Sequence, residues 1–386
     1  MPTTPGTCAT VVFGVLISLA VQGCGSEASP RAPDAPGAWG DTPWRLVEEA
    51  RIGAAEGEGP DVFSSVVDVT LDPLGRAWIA DGHSQEIWVF DTRGQPVRTL
   101  GRKGGGPAEF RDISGMQWAP DGRLWVLDGG NARFAVYDTA GTLLETRPRQ
   151  SALAARPWRG RFDRSGRLYD VDGTLAPDGS IVTLLVRGDP EAPARDTFRL
   201  PAFEEEVFEV RRGDARNRTV NRINVPFTGS QYWALDPDGH VWVANTARYR
   251  IEQHAFDGGV GRVVERGHTP VPVPAGERER RLEDYRDFVR QGGTIDPSRI
   301  PNTYPALHGF LFDDAGNLWV SPITPTVAGR AMDVFRPDGT YLGRTALPTP
   351  QRSSPRVIRG ERMLVVTRDS LDVPTVIVVR IQKTPG

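Results

Sequence analysis

From Trp44 onward the chain is written in short runs of alternating hydrophobic and polar residues, bounded by Asp and Gly. A period of two marks half-buried β-strands, and the Asp and Gly residues between them mark tight turns. Two other patterns precede this region. Thr10 to Val21 is an apolar run, shorter than the roughly 20 residues that span a bilayer as a helix. Residues 25 to 41 are rich in Ala, Pro, Gly and Ser, which predicts a disordered tether with a reach on the order of 20 Å.

The strand region repeats. Asp-x-x-Gly followed three residues later by an aromatic occurs at Asp72 to Gly75 with Trp78, Asp163 to Gly166 with Tyr169, Asp236 to Gly239 with Trp242, and Asp313 to Gly316 with Trp319. Ala119 to Gly122 with Trp125 is a fifth copy. The tetrad reads as a hairpin turn in which Gly takes the left-handed position and Asp caps the turn; the aromatic then packs between sheets. A second turn follows at a fixed offset in the first two copies, Phe90 to Gly94 and Tyr137 to Gly141, and recurs at Phe256 to Gly259 and Phe335 to Gly339. Copy three lacks it at that offset. Each unit is two hairpins, or four antiparallel strands, which is one propeller blade.

The run Gly104-Gly105-Gly106-Pro107-Ala108-Glu109-Phe110, then Asp121 to Asp128, then Asn131-Ala132-Arg133, is similar to the NHL-repeat consensus. That resemblance implies an all-β, six-bladed β-propeller over residues 42–386. Ser354 to Ile381 supplies a sixth, turn-poor blade with core strands at Met363 to Thr367 and Val376 to Ile381. Leu46 to Gly53 is expected to complete it, closing the ring and removing an open sheet edge.

Two inserts, 202–229 and 268–307, fall between the last strand of one blade and the first of the next, on either side of blade four. Both are expected to rise from one face of the disc. In the second, Pro274 to Gln291 predicts an amphipathic helix docked on the propeller, between blades four and five. Leu282, Tyr285, Phe288 and Val289 share one face, Glu277 is spaced to pair with Arg281, and Gly292 ends the helix.

The N-terminus changes the setting. Leu19 to Cys24 looks like a lipobox, which implies a lipoprotein signal peptide at 1–23, lipidation of Cys24 and attachment to the cell envelope, by default at the outer membrane. With Cys8 removed and Cys24 lipidated, the folded part has no cysteine for a disulfide or a metal. The formal net charge is −3, and only Lys103 and Lys383 among 46 basic residues are lysines. That balance gives no footprint for nucleic acid.

Closed propellers present loops around a central funnel, so the candidate ligand residues lead into the inner strands on the decorated face: Arg111, Asp112, Arg159, Arg161, Gln231, Tyr232 and His308. Arginines converging there suit a carboxylate or phosphate. Pairing with acidic neighbours across blades is the plainer use of them. Some propeller hydrolases resembling gluconolactonase hold a divalent cation, Ca or Zn, on the axis, and Asp68, Asp112 and Asn245 are the side chains for that role here. Streptogramin-lyase-like propellers rely on axial histidines, where only His308 or His83 fits. No His-x-His, His-Glu-x-x-His, calcium-loop, phosphate-loop or Gly-x-Ser-x-Gly spacing occurs, and turn capping is the expected role of most aspartates. The sequence therefore favours a binding or scaffold module for an envelope protein, glycan or small ligand, without a cofactor. The alternative is an axial-site hydrolase or lyase using His308, Arg159 and Asp112.

Overall fold

The computed structural model describes residues 37–39, 44–54, 59, 61–151, 158–175, 181–192, 195–213, 219–325, 330–349, 353–369 and 371–383. The signal-peptide, Cys24 and most of the tether assignments lie outside them. Six four-stranded antiparallel sheets follow one another along the chain. Their innermost strands are Val66–Leu71, Ile113–Trp118, Arg161–Phe162, Gln231–Leu235, Leu307–Phe312 and Ser354–Arg359. The protein is a six-bladed β-propeller.

The tetrads explain how the blades are built. Asp72 Oδ2 accepts the indole N–H of Trp78 at 3.2 Å, Asp236 that of Trp242 at 2.9 Å and Asp313 that of Trp319 at 3.1 Å. Asp163 accepts the Tyr169 hydroxyl at 3.1 Å. The other Asp72 oxygen takes the turn N–H groups of Leu74 and Arg76. One carboxylate thus fixes both the turn and the ring. Each ring packs on the following blade: Trp78 buries with Phe110 and Ile113, and Trp319 with Met363 and Ile377. Burial of this kind stabilises by about 25 cal/mol per Å² of apolar surface, so the inter-blade seams contribute to holding the ring together.

The ring closes as the sequence implies. Arg45–Ile52 pairs antiparallel with Pro374–Gln382, placing Leu46 opposite Ile381 and Ile52 opposite Val376. The expected tether ends earlier than residue 41, because residues 37–39 lie along the outer strand of blade five. Ala38 and Trp39 donate backbone bonds to the carbonyls of Tyr341 and Leu342. Trp39 stacks near Trp44 (4.9 Å) and Trp44 near Trp319 (5.9 Å), while the Lys383 ammonium lies over Trp44. Apolar and cation–π contacts hold this segment where Pro/Gly composition alone predicted freedom.

The helix of the second insert differs from expectation in three ways. It is two helices, Ala275–Glu283 and Arg286–Arg290. The break falls at Tyr285, whose hydroxyl donates to the Asn224 carbonyl at 2.7 Å; the kink lets Tyr285 and Phe288 both face the first insert. Glu277 accepts from the Tyr304 hydroxyl, whereas Arg281 pairs with Asp284. The helices dock on the hairpin Val207–Arg212/Thr219–Asn224 of the first insert: Phe208, Val225, Phe288 and Ile300 bury together, and Val289 is left exposed. Gly292, at φ +86°, does end the helix.

Candidate functional site

The inner strands of all six blades line one axial cavity of about 490 Å³. Its walls reach the turn residues Pro120, Arg164, Pro237 and Asp314, so it extends toward the face of the Asp-x-x-Gly turns, away from the inserts. Of the residues singled out in the sequence, Arg159, Arg161 and Tyr232 line it. Arg111, Asp112 and His308 do not: they sit at the opposite ends of their strands, where the inserts begin. The Arg111 and Asp112 backbone N–H groups are both held by Asp128 Oδ1 at 3.2 Å. Water reaches the His308 ring, but enclosure by protein, with Arg330 as the second cause, holds its imidazole down at about 4.

Blade three shapes the wall. Its inner strand is only Arg161–Phe162, and the preceding Trp158 folds back so that its indole N–H donates to Asp170 at 2.9 Å. Only Gly fits at 160, where a Cβ would lie 2.2 Å from the Trp158 nitrogen. The backbone then turns Arg159 outward, its guanidinium 5.5 Å from the Tyr232 ring and 5.8 Å from the Trp233 ring across the gap to blade four. Arg161 bridges the same gap by donating to the Leu235 carbonyl, and burial lowers its guanidinium pKa.

Six further charged residues line the cavity: Asp68, Asp163, Arg164, Asp314, Arg356 and Arg359. Arg359 donates to the Leu71 carbonyl at 3.2 Å, and Arg164 bonds Asp238 and the Asp314 carbonyl. Asp68 accepts from the Met116 N–H at 2.8 Å and from the Val69 N–H at 2.9 Å. Burial pushes its carboxyl up to about 6, against the opposing pull of the Met116 N–H and of Arg356. Arg356 forms no direct hydrogen bond or ion pair among the described residues, and Arg159 has only its aromatic contacts.

Sequence reasoning missed Arg356 and Arg359. They are the inner-strand residues of the blade that lacks a tetrad, and the register of Ser354–Arg359 against Arg362–Arg368 is the only signal that places them. The three side chains considered for a cation do not converge: Asp68 is axial, Asp112 is at the blade-two entrance, and Asn245 caps the Ala247 N–H at 3.0 Å. Among the described residues no group of three or more His, Cys, Asp or Glu is arranged to hold a metal.

No family model matches the chain, and no curated protein does. Among solved structures it is similar to virginiamycin B lyase from Staphylococcus aureus (9% identity over 88% of this chain and 99% of that one, TM-score 0.41). It is also similar to the calcium-binding protein regucalcin from Agrobacterium tumefaciens (16%, 87% and 96%, TM-score 0.39). A third likeness is to a putative exported protein from Bacteroides fragilis (10%, 88% and 95%, TM-score 0.44). With identities this low and TM-scores below 0.5, none of these likenesses bears on this protein's activity.

Proposed function

We propose that the protein is a ligand-binding propeller of the cell envelope whose axial cavity takes a small molecule bearing a carboxylate or phosphate. The observation that carries this is the pair Arg159 and Arg356, two cavity-lining guanidiniums that form no direct ion pair among the described residues, although the charge of Arg356 acts on nearby Asp68. Both side chains are open to solvent and not bound by a carboxylate, so an arriving anion finds them available, and the guanidinium fork matches carboxylate and phosphate bidentately. The cavity volume falls within the roughly 300–1,000 Å³ of small-molecule sites. A thermal-shift screen with benzoate, gluconate, glucose 6-phosphate and inorganic phosphate tests it. A rise in melting temperature with any of them, absent in Arg356→Ala, is the expected result; no shift with all four would sink the reading.

A second reading has one observation in its favour. Asp68, ionising at about 6, is suited to general-acid chemistry near neutral pH, which keeps an axial hydrolase or lyase in play. Turnover of lactone or ester substrates that is lost in Asp68→Asn would establish it.

The envelope assignment rests on the apolar run before Cys24. Among the described residues no helix is long and apolar enough to cross a membrane. A lipid on Cys24 is the proposed anchor, and a Cys24→Ser protein is expected to leave the membrane fraction.

A further inference from the structure

The two inserts and blade four line a second pocket, open to solvent, about 540 Å³ in volume and sharing no residue with the axial one. Phe227, in its wall, has φ +63°. For a bulky residue that left-handed backbone costs on the order of 1–2 kcal/mol, and such strain persists only where neighbours enforce it. Here the Val225 N–H bonds the Glu206 carbonyl at 2.7 Å and the Thr228 hydroxyl bonds the Val225 carbonyl at 2.7 Å, bracketing Phe227. The strained backbone delivers the ring edge-to-face against Tyr304, with centroids 5.6 Å apart. Tyr304 is itself pinned, by its hydroxyl to Glu277 and by its N–H to the Val271 carbonyl.

The polar lining divides into spent and unspent groups. Arg299 is satisfied by Glu206 at 2.6 Å and lies over Phe208, so these two charges cancel. The Asn245 amide NH₂, the Thr303 hydroxyl and the Glu204 carboxylate also line the cavity and have no protein partner among the described residues. The site thus offers fixed aromatic surface, one neutral donor, one hydroxyl and one strong acceptor, the Glu204 carboxylate, whose negative charge is the one left uncancelled.

We infer that this cavity binds a neutral saccharide. A pyranose presents an apolar C–H face, which suits the electron-rich aromatic surface, and hydroxyls that each donate and accept. A cationic side chain would use Glu204 and the rings but leave Asn245 and Thr303 unused.

The experiment is saturation-transfer NMR and calorimetry on the full chain with chitotriose, cellotriose, maltotriose and mannotriose. At least one is expected to bind. Phe227→Gly, which removes the ring and relieves the positive φ, is expected to weaken that binding about tenfold or more while the melting temperature stays within a few degrees. Thr303→Val should weaken it several-fold, and Arg356→Ala, in the axial cavity, should leave it unchanged. Failure of all four sugars to bind, undiminished binding in Phe227→Gly, or capture of spermidine in place of any sugar would each overturn the inference.

Discussion

Asp68 on the inner strand of blade one accepts the backbone N–H of Met116 on the inner strand of blade two at 2.8 Å. The bond ties two blades together at the axis, and it places a carboxylate in the cavity that Arg159 and Arg356 line. Its position sets the pH behaviour of both stability and binding.

Burial raises the Asp68 pKa from 3.8 to about 6, so the folded state holds this proton more tightly than the unfolded chain. The stabilisation is complete below about pH 4 and is lost as pH rises through about 6. Asp68→Asn keeps an oxygen for Met116 and abolishes the charge. Its melting temperature is expected to exceed that of the parent at about pH 8, with the gap closing toward pH 4. A gap that is constant with pH would contradict this.

Trp125 is the one tetrad ring without its carboxylate. Ala119 stands where the other blades have Asp, and the buried indole N–H of Trp125 has no hydrogen-bond partner. The turn is otherwise the same, with the Gly122 N–H on the Ala119 carbonyl and Gly122 at φ +84°. Ala119→Asp is therefore expected to stabilise by about 1 kcal/mol, because it gives a stranded donor its partner, although Arg123, four residues on, is already held by Asp121 and Glu145. Asp72→Ala, which strands the Trp78 indole and Arg76, should cost roughly 1–3 kcal/mol. Urea denaturation of the two variants checks both signs.

Ring closure depends on a strand from the other end of the chain. A protein beginning at Trp44 retains Arg45–Ile52 and is expected to fold; one beginning at Ala54 exposes the edge of Pro374–Gln382. An open, hydrophobic edge recruits other chains. The shorter form should aggregate or melt well below the longer one, by sedimentation and circular dichroism. A monomer with an unchanged melt would show that closure is dispensable.

The blades were legible because one turn recurs: Asp for the cap, Gly for positive φ and an aromatic for the seam read the same in isolation as in the fold. The closing strand was legible because blade six lacked a fourth strand. The cavity was only half legible. Arg159, Arg161 and Tyr232 were found, but Arg111, Asp112 and His308 lie at the other ends of their strands, since the cavity extends toward the turn face and not toward the inserts. Strand periodicity gives which side chains point to the axis, not how deep along it they sit. The helix docked on the neighbouring insert instead of a blade because an amphipathic face specifies that it must be buried, not against what.

The measurement that tests the axial site most directly is calorimetric titration of the full chain with the carboxylate or phosphate giving the largest thermal shift. One site per chain is expected. Arg159→Ala and Arg356→Ala should each weaken it about tenfold or more, the loss of a charge-assisted contact. Arg336→Ala, at an exposed turn of blade five, should leave it unchanged. Affinity should rise as pH falls through about 6, where Asp68 loses its competing charge. Binding that is insensitive to both axial arginines, or no binding at all, would contradict the account.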